Sequence, residues 1–198
     1  MGERIFDFTQ PAVTVFEPTD CRVVIGRHQD PHQEVLIEQA RADAVPINRR
    51  LTGGGTVVLA PGMLVIGIRL QRPRFGSAEI FSEVNEQLIA AITHCHAQPL
   101  AEQGFGDLVV PGQPPRKVLG ASLRQSRGWA YYLGVLLVSE QVPLMQRYLP
   151  PPSRMPDYRA QRSHADFCSF IQLSARGLLH LRDTIQAYCS RPFAAPTT

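Results

Sequence analysis

The sequence predicts an α+β domain in which antiparallel or mixed sheets pack with helices. Apolar, β-branched segments occur in pairs separated by turns that contain glycine or proline, which is typical of hairpins. Segments with helical periodicity are few and scattered, whereas a parallel βαβ fold would alternate them regularly with strands. The chain has 198 residues, of which 44% are hydrophobic and 19% charged, so it can bury one sizeable core.

The first half of the chain contains three predicted strands and two predicted helices. CRVVIG (21–26) is short and β-branched and ends in glycine, so we expect a strand, while EVLIEQARADA (34–44) is predicted to be helical. GTVVLA (55–60) and LVIGIRL (64–70) flank a Pro-Gly turn, which predicts a buried β-hairpin. Over residues 78–97 apolar side chains recur at helical spacing, which predicts the longest helix.

The second half adds three predicted strands and two predicted helices. GDLVV (106–110) is predicted to be a strand, and RKVLGASLRQ (116–125) and WAYYLGVLLV (129–138) are predicted to pair antiparallel around the turn SRG. A short helix is expected over 139–149, starting at its serine, which is a preferred N-cap residue. The last helix is expected over 177–189.

We expect one domain over residues 1–190 and a frayed tail over 191–198, because no linker or repeat divides the chain. The cysteines include no CxxC pair, and MGERIFDFTQ has no apolar stretch typical of a secretory signal, so a cytoplasmic protein with reduced thiols is expected. The net charge of +3 is too small to predict nucleic-acid binding. The longest apolar run, roughly 56–68, is too short to cross a membrane.

The stretch RRLTGGGTVV (49–58) carries the strongest sign of a binding site. Three consecutive glycines leave backbone N–H groups unshielded and allow a ligand to approach closely. Arg49 and Arg50 precede them, and a guanidinium can bind a phosphate or carboxylate through two parallel hydrogen bonds. The stretch is neither a Walker A loop nor a dinucleotide fingerprint, because strand-like residues follow the glycines. A flexible hairpin turn is the alternative interpretation.

A second candidate region surrounds Lys117, which is the only lysine of the chain, whereas arginine occurs nineteen times. Asp107 stands at the start of a predicted strand, and Gly120 and Ala121 are small enough to let the backbone lie against a flat ligand. Gly134 lies inside an apolar strand, which again indicates close approach. A bias in genome base composition could account for the arginines, but it does not explain the position of the single lysine.

Five stretches in order resemble the lipoate–protein ligase and octanoyltransferase family, which is related to biotin–protein ligases. They read VIGRHQDP, RRLTGGGTV, GDLVV, KVLGASLR and LGVLLV. The downstream PDYRAQRSH is similar to an arginine-rich region of the short ligase-like members, and the resemblance covers about residues 20–170. It implies a biotin/lipoate protein ligase-like catalytic domain, with an arrangement like that of class II aminoacyl-tRNA synthetases. We expect no C-terminal accessory domain of the kind that the two-domain ligases have.

The resemblance also implies an activity. A lipoate–protein ligase uses ATP and Mg²⁺ to convert lipoic or octanoic acid to an acyl-AMP, and it transfers the acyl group to a lysine of a lipoyl carrier domain (glycine-cleavage H protein or 2-oxoacid dehydrogenase E2-like). By position, Lys117 is the implied catalytic residue, and no metal site made by the protein alone is expected. The implied ligand-binding residues are Arg49, Arg50, Thr52, Gly53, Gly54, Gly55, Thr56, Asp107, Gly120, Ala121, Ser122 and Gly134.

The chain departs from the family pattern at several positions. Leu59 and Leu133 stand where many members have histidine, Ala60 where aspartate is frequent, and Gly106 where asparagine precedes the aspartate. These losses leave three alternatives open. The chain is a ligase, which acts alone or needs a separate accessory chain, or an octanoyltransferase that needs no ATP, or a non-catalytic acyl-nucleotide-binding protein. A biotin ligase fits less well, because the single tryptophan, Trp129, is far from the glycine loop.

Three further side chains have two interpretations each. Cys168 is a candidate nucleophile for the transferase alternative, but an apolar sequence context is also typical of a small buried cysteine. Arg159 and Arg162 belong either to a lid or carrier-docking loop, which would attract an acidic carrier, or to a solvated loop.

Overall fold

The computed structural model describes residues 13–71, 76–126 and 128–190; the expected tail 191–198 lies outside them. Within these ranges there are nine strands: β1 Val13–Phe16, β2 Arg22–Ile25, β3 Ile47–Arg49, β4 Val57–Leu59, β5 Met63–Gln71, β6 Ala101–Gln103, β7 Asp107–Val110, β8 Arg116–Ser126 and β9 Trp129–Leu137. The α-helices of the same ranges are α1 Pro31–Glu34, α2 Ile37–Ala42, α3 Ser77–Cys95, α4 Val142–Tyr148, α5 His164–Phe167 and α6 Ala175–Cys189.

The larger sheet has six strands in the order β1-β5-β9-β8-β7-β6, and every pair is antiparallel. One face is covered by α3 and α6, which bury their apolar sides against it because each helix has one continuous apolar stripe. Side chains such as Leu64, Ile66 and Leu136 point into this core. The predicted helices 78–97 and 177–189 and the hairpin of β8 and β9 are confirmed.

The smaller sheet has the order β3-β2-β4, in which β2 pairs parallel with β3 and antiparallel with β4. The mixed and antiparallel pairing confirms the predicted α+β class. Among the described ranges, no helix combines the length and the apolar character that a membrane crossing requires.

The predicted hairpin of residues 55–60 and 64–70 is wrong. Its two segments are strands, but β4 pairs with β2, whereas the edges of β5 are taken by β1 and β9. The turn at Gly62, with φ of +85°, passes the chain from one sheet to the other. Each strand has one face against the other sheet and the other face against helices, which explains the continuous apolar run.

Two helix boundaries also differ from the prediction. The helix expected over 34–44 is split into α1 and α2, because the backbone extends at Val35 and the Leu36 N–H donates to the Tyr148 carbonyl at 2.8 Å. The helix expected over 139–149 begins only at Val142, with proline in its first turn. Ser139 does not cap it, since its hydroxyl donates to the Gly62 carbonyl at 3.2 Å.

Gly26 directly follows β2 and lies against the glycine-rich loop. A Cβ at this position would fall 2.1 Å from the Gly54 carbonyl oxygen, far inside contact distance, and backbone cannot move away as a flexible side chain can. The small sheet and the loop thus approach each other only because this residue has no side chain.

Replacing Gly26 with alanine should lower the free energy of unfolding by about 2 kcal/mol or more, because the methyl group forces the loop off the sheet. Urea unfolding followed by circular dichroism measures the change. Gly53→Ala is the matched control, since a Cβ there meets nothing within 4 Å, and it should change the free energy by less than about 1 kcal/mol. Equal losses in the two variants would contradict the packing argument.

Candidate functional site

The glycine-rich loop between β3 and β4 is organised around the guanidinium of Arg50. Arg50 is 4% exposed, so its charge is withdrawn from solvent. Its Nη2 donates to the carbonyl oxygens of Gly53 and Gly55, each at 2.6 Å. Its Nε donates to Thr52 Oγ1 at 3.0 Å, and its Nη1 donates to the Val24 carbonyl of β2 at 3.2 Å. Arg50 therefore shapes the loop and ties it to the small sheet.

Arg49 contacts backbone carbonyls as well. Its Nη1 donates to those of Gly26, Arg27 and Gln29 at 2.8 to 3.0 Å.

Burial lowers the pKa of Arg50 to about 10, so this guanidinium stays protonated at neutral pH, where the carbonyl dipoles offset its desolvation. The direct contact with an anionic ligand that the resemblance implies for Arg49 and Arg50 stays a prediction.

The loop lies against β8. Thr52 Oγ1 is 2.9 Å from Ser122 Oγ, and both hydroxyl groups are buried. Gly54 has φ of +82°, and a Cβ there would lie 3.3 Å from Ser122 Cβ. At the end of the loop the Thr56 hydroxyl donates to Gln29 Oε1 at 3.0 Å. The two stretches that the sequence separates by some sixty residues, RRLTGGGTV and KVLGASLR, are thereby brought together, as the resemblance implies.

Lys117 lies on β8 opposite Val109 of β7. Its Nζ is 2.7 Å from Asp107 Oδ1, and the two side chains are 26% and 10% exposed. A Cβ at Gly120 would fall 2.7 Å from both Cε and Nζ of Lys117. The lysine side chain therefore lies over the space that this glycine leaves free. The structure places Lys117, Asp107 and Gly120 in one half-buried site.

The turn before Asp107 explains one departure from the family pattern. Gly106 has φ of +77°, a conformation that glycine and asparagine adopt most readily. A Cβ there would fall 2.4 Å from the ring of Phe81, so this chain tolerates only glycine. The replacement of asparagine by Gly106 thus follows from packing against α3.

Tyr158 completes the site and was missed in the sequence analysis. Its hydroxyl donates to Asp107 Oδ2 at 2.7 Å. Burial, and then the Asp107 carboxylate, raise the pKa of the Tyr158 phenol, so that it stays a donor at neutral pH. Its place in the segment PDYRAQRSH, beside the two arginines, was the only signal in the sequence, because no local pattern indicates contact with Asp107.

Arg159 is buried in the protein, and Arg162, which is half-buried, packs beside it. Each donates its Nε to the carbonyl of the other, and their guanidinium groups lie 4.7 and 5.2 Å from the centre of the Phe167 ring. Arg162 also donates to the carbonyls of Pro115 and Tyr158, each at 2.8 Å. Arg159 is 6% exposed, so for this residue both the docking and the solvated interpretations are wrong.

Cys168 lies next to Lys117. The backbones of the two residues form a parallel bridge, in which the Ser169 N–H donates to the Lys117 carbonyl at 2.7 Å. Cys168 is buried, and this burial raises the pKa of its thiol even though the cations of Lys117 and Arg159 act in the opposite direction. The location suits a nucleophile but the raised pKa does not, so its catalytic role stays a prediction.

The two positions at which histidine is lost, Leu59 and Leu133, belong to one apolar cluster between the sheets. The cluster consists of Val24, Leu59 and Val65, which are buried, and Phe16, Val57, Leu133 and Val135, which are partly exposed. In the pairing of β8 with β9, Val135 lies opposite Gly120, the residue beneath Lys117. The candidate site therefore borders this apolar cluster on the same face of the sheet.

Ala121 and Gly134 lie on the opposite face of the large sheet. They are paired in register, Ala121 packs in the core under α3 and α6, and a Cβ at Gly134 would lie 3.0 Å from the ring of the buried Tyr132. Their implied contact with a ligand stays a prediction that this placement does not support.

In the described ranges, no three His, Cys, Asp or Glu side chains lie together as a metal site would require.

Sequence comparison adds two findings. A family model described as the lipoyl protein ligase A/B catalytic domain matches residues 3–180. A protein of Schizosaccharomyces pombe (strain 972 / ATCC 24843), named as a candidate lipoate-protein ligase A, is 30% identical over 131 residues, which cover 66% of this chain and 34% of that protein. The chain thus spans about a third of the length of this curated relative.

Three solved structures share the fold. A bi-partite lipoate protein ligase from Thermoplasma acidophilum, described with its E2 lipoyl domain, has a TM-score of 0.76 at 18% identity, covering 90% of this chain and 69% of that one. A lipoate-protein ligase A bound with ATP has 0.68 at 19%, covering 90% and 70%. P. falciparum LipL1 in complex with lipoate has 0.67 at 16%, covering 89% and 49%. These likenesses confirm the predicted ligase-like fold.

His164 should make the stability of the domain depend on pH. Burial, and then the Arg159 cation, lower the pKa of His164 to about 4 in the folded chain, against about 6.5 when unfolded. Between these values the unfolded chain binds more protons, so the contribution is complete above about pH 6.5 and is lost as the pH falls toward 4.

The test is urea unfolding of the wild type and His164→Gln at several pH values from 7 to 4. The free energy of unfolding of the wild type should fall more steeply than that of the variant. The difference in slope should be well below about 1.4 kcal/mol per pH unit, because the ring is partly solvated. Parallel curves would show that His164 titrates normally in the folded chain.

Proposed function

The chain belongs to the lipoyl protein ligase A/B catalytic-domain family, whose model matches residues 3–180, and from this premise we propose that it is an ATP-dependent lipoate–protein ligase. In the proposed reaction, the carboxylate of lipoate or octanoate attacks the α-phosphorus of ATP and pyrophosphate leaves. The amine of a carrier lysine then attacks the acyl carbonyl and AMP leaves. The single observation that carries the proposal is the arrangement along β8, where the Lys117 side chain lies over Gly120 and, two residues further on, Ser122 contacts Thr52 of the glycine-rich loop.

Lys117 has the geometry for this chemistry. Both steps build negative charge on oxygen atoms, on the α-phosphate in the first and on the acyl oxygen in the second, and a preorganised cation lowers both barriers. The ammonium lies over Gly120, and a compact cation of this kind can approach two adjacent oxygens, whereas a guanidinium is larger and planar. The backbone N–H groups of the exposed Gly54 and Gly55 supply further donors on the same side of the sheet.

Magnesium would enter with the nucleotide. The protein carboxylate in the site, that of Asp107, already accepts from Lys117 and Tyr158. Such a site does not provide the several oxygen ligands of a protein-made magnesium centre, so the phosphates of ATP would hold the ion. The ion would neutralise charge on the phosphates during their transfer.

We propose a lipoyl carrier domain as the acceptor, because the fold neighbour from T. acidophilum is described with its E2 lipoyl domain. That neighbour is also described as bi-partite, which supports our proposal that a second chain assists this one. The four free cysteines suit a cytoplasmic location.

Lys117→Ala should reduce acyl-adenylate formation at least about 100-fold, because the ammonium that offsets the developing charge is lost. Lys117→Arg keeps the charge without the fit and should retain less than about a tenth of the activity. The measurement is lipoate- or octanoate-dependent exchange of pyrophosphate into ATP, with and without the second chain that we propose assists this one. Arg41→Lys, at an exposed surface pair with Glu38, is the control and should be unaffected. Near-full activity of Lys117→Arg would contradict the argument from fit.

An octanoyltransferase is the second candidate, favoured by the bridge between Lys117 and Cys168. In that reaction the Cys168 thiolate takes the octanoyl group from a carrier thioester and the carrier thiol leaves. The amine of an acceptor lysine then attacks the new thioester, and the Cys168 thiolate leaves as the amide forms. The buried, high-pKa thiol weighs against it.

Omitting ATP separates the two candidates. For a ligase, transfer from free octanoate to a lipoyl domain should need ATP and should survive in Cys168→Ser with at least about half the rate, because serine keeps the small buried volume. Intact-protein mass spectrometry of the acceptor measures the transfer. ATP-independent transfer from an octanoyl carrier thioester, abolished in Cys168→Ser, would establish the transferase instead. Ligand binding without either transfer would indicate a non-catalytic protein.

A further inference from the structure

The loop between α4 and α5 reaches the candidate site through Tyr158. The phenol donates to Asp107 Oδ2 at 2.7 Å, while Asp107 Oδ1 is 2.7 Å from Lys117 Nζ. The two oxygens of one carboxylate thus serve two partners. Because both oxygens lie in one plane, a short bond to the first restricts rotation of the group and fixes where the second can accept.

Tyr158 is itself held from three sides. Its ring centre lies 5.2 Å from that of Phe167. A Cβ at Gly104, in the turn before Asp107, would lie 3.3 Å from the Tyr158 ring, so the ring rests against that turn. Its carbonyl accepts from Arg162 Nη2 at 2.8 Å. This packing leaves the hydroxyl little freedom to move away from Asp107.

We infer that Tyr158 is a positioning residue for Lys117: it orients the Asp107 carboxylate, which in turn holds the ammonium over Gly120. Arg159 and Arg162 support this arrangement, since their guanidinium groups stack on Phe167 and thereby hold the segment that carries Tyr158. The loop after α4 is in this way coupled to the location of the only lysine of the chain. The effect on catalysis depends on the proposed function, but the effect on the lysine does not.

A second tyrosine supplies a matched control. The Tyr148 hydroxyl donates to Asp43 Oδ2 at 2.9 Å, and the other oxygen of Asp43 accepts from Arg147 Nη2 at 2.7 Å. Arg147 also donates its Nε to Asp43 Oδ2 at 2.5 Å. A similar set of phenol, carboxylate and cation therefore occurs between α2 and α4, where it does not include Lys117.

The experiment measures the reactivity of Lys117 towards the amine-acetylating reagent sulfosuccinimidyl acetate. Since the chain has one lysine, peptide mass spectrometry reports this side chain directly, and the N-terminal amine serves as the internal reference. The variants are Tyr158→Phe, Tyr148→Phe, Asp107→Asn and Asp107→Asn/Tyr158→Phe. Circular dichroism verifies that each is folded, and each tyrosine variant removes a single oxygen.

Tyr158→Phe should raise the acetylation rate of Lys117 about threefold or more, because a freely rotating carboxylate holds the ammonium less of the time. Tyr148→Phe should leave the rate unchanged. In the Asp107→Asn background, Tyr158→Phe should add nothing, because its action passes through the carboxylate. If the protein is a ligase, Tyr158→Phe should also lower kcat at least about fivefold with KM for ATP changed less than about twofold.

Two outcomes would overturn the inference. One is wild-type reactivity of Lys117 in folded Tyr158→Phe. The other is an equal effect of Tyr158→Phe with and without the Asp107 carboxylate, which would show that the tyrosine acts by general packing. Neither outcome bears on whether the chain is a ligase. Conversely, the absence of ligase activity alone leaves the acetylation result valid.

Discussion

The buried guanidinium of Arg50 is the interaction on which the shape of the site depends. A desolvated charge is costly unless its hydrogen bonds are made, and here the partners are the carbonyls of Gly53, Gly55 and Val24. Removing any of these carbonyls from reach would leave a buried donor unpaired, so the loop and β2 have one favourable arrangement relative to each other. The exposed N–H groups of the loop are positioned as a consequence of this internal requirement.

Residues without a side chain contribute to the shape of the site as much as the charged residues do. Gly26 allows the loop to lie on the small sheet, Gly106 allows the turn before Asp107 to pack on α3, and Gly120 leaves the space that the side chain of Lys117 occupies. The first two contacts join the backbone to a distant part of the chain, and the third is made within β8. Glycine at these positions therefore reflects tertiary packing as well as conformational freedom. The sequence alone does not show the packing partner, so a glycine-rich stretch can look like a simple flexible turn.

The site combines a polar end with an apolar interior. At the polar end, Lys117, Asp107 and Tyr158 form a continuous set of short contacts. The interior is the apolar cluster that contains Leu59 and Leu133. The two leucines that stand at family histidine positions contribute to the same cluster, so the loss of polarity is a property of one region rather than two unrelated changes. Under the proposed function, an acyl chain beside this cluster would gain its affinity chiefly from burial of its methylene groups.

The sequence by itself determined the elements whose signal is local: the long helix α3, the last helix α6 and the hairpin of β8 and β9, together with the motifs around Arg50 and Lys117. Their periodicity and turn residues depend only on neighbours along the chain. Tertiary structure alone decided that β4 and β5 enter different sheets, that Arg159 and Arg162 turn inward, that Ala121 and Gly134 face the helices, and that Tyr158 reaches Asp107. Strand partners and side-chain contacts of this kind are chosen by competition among distant segments for the same edges, faces and hydrogen-bonding groups, and no local pattern records its outcome.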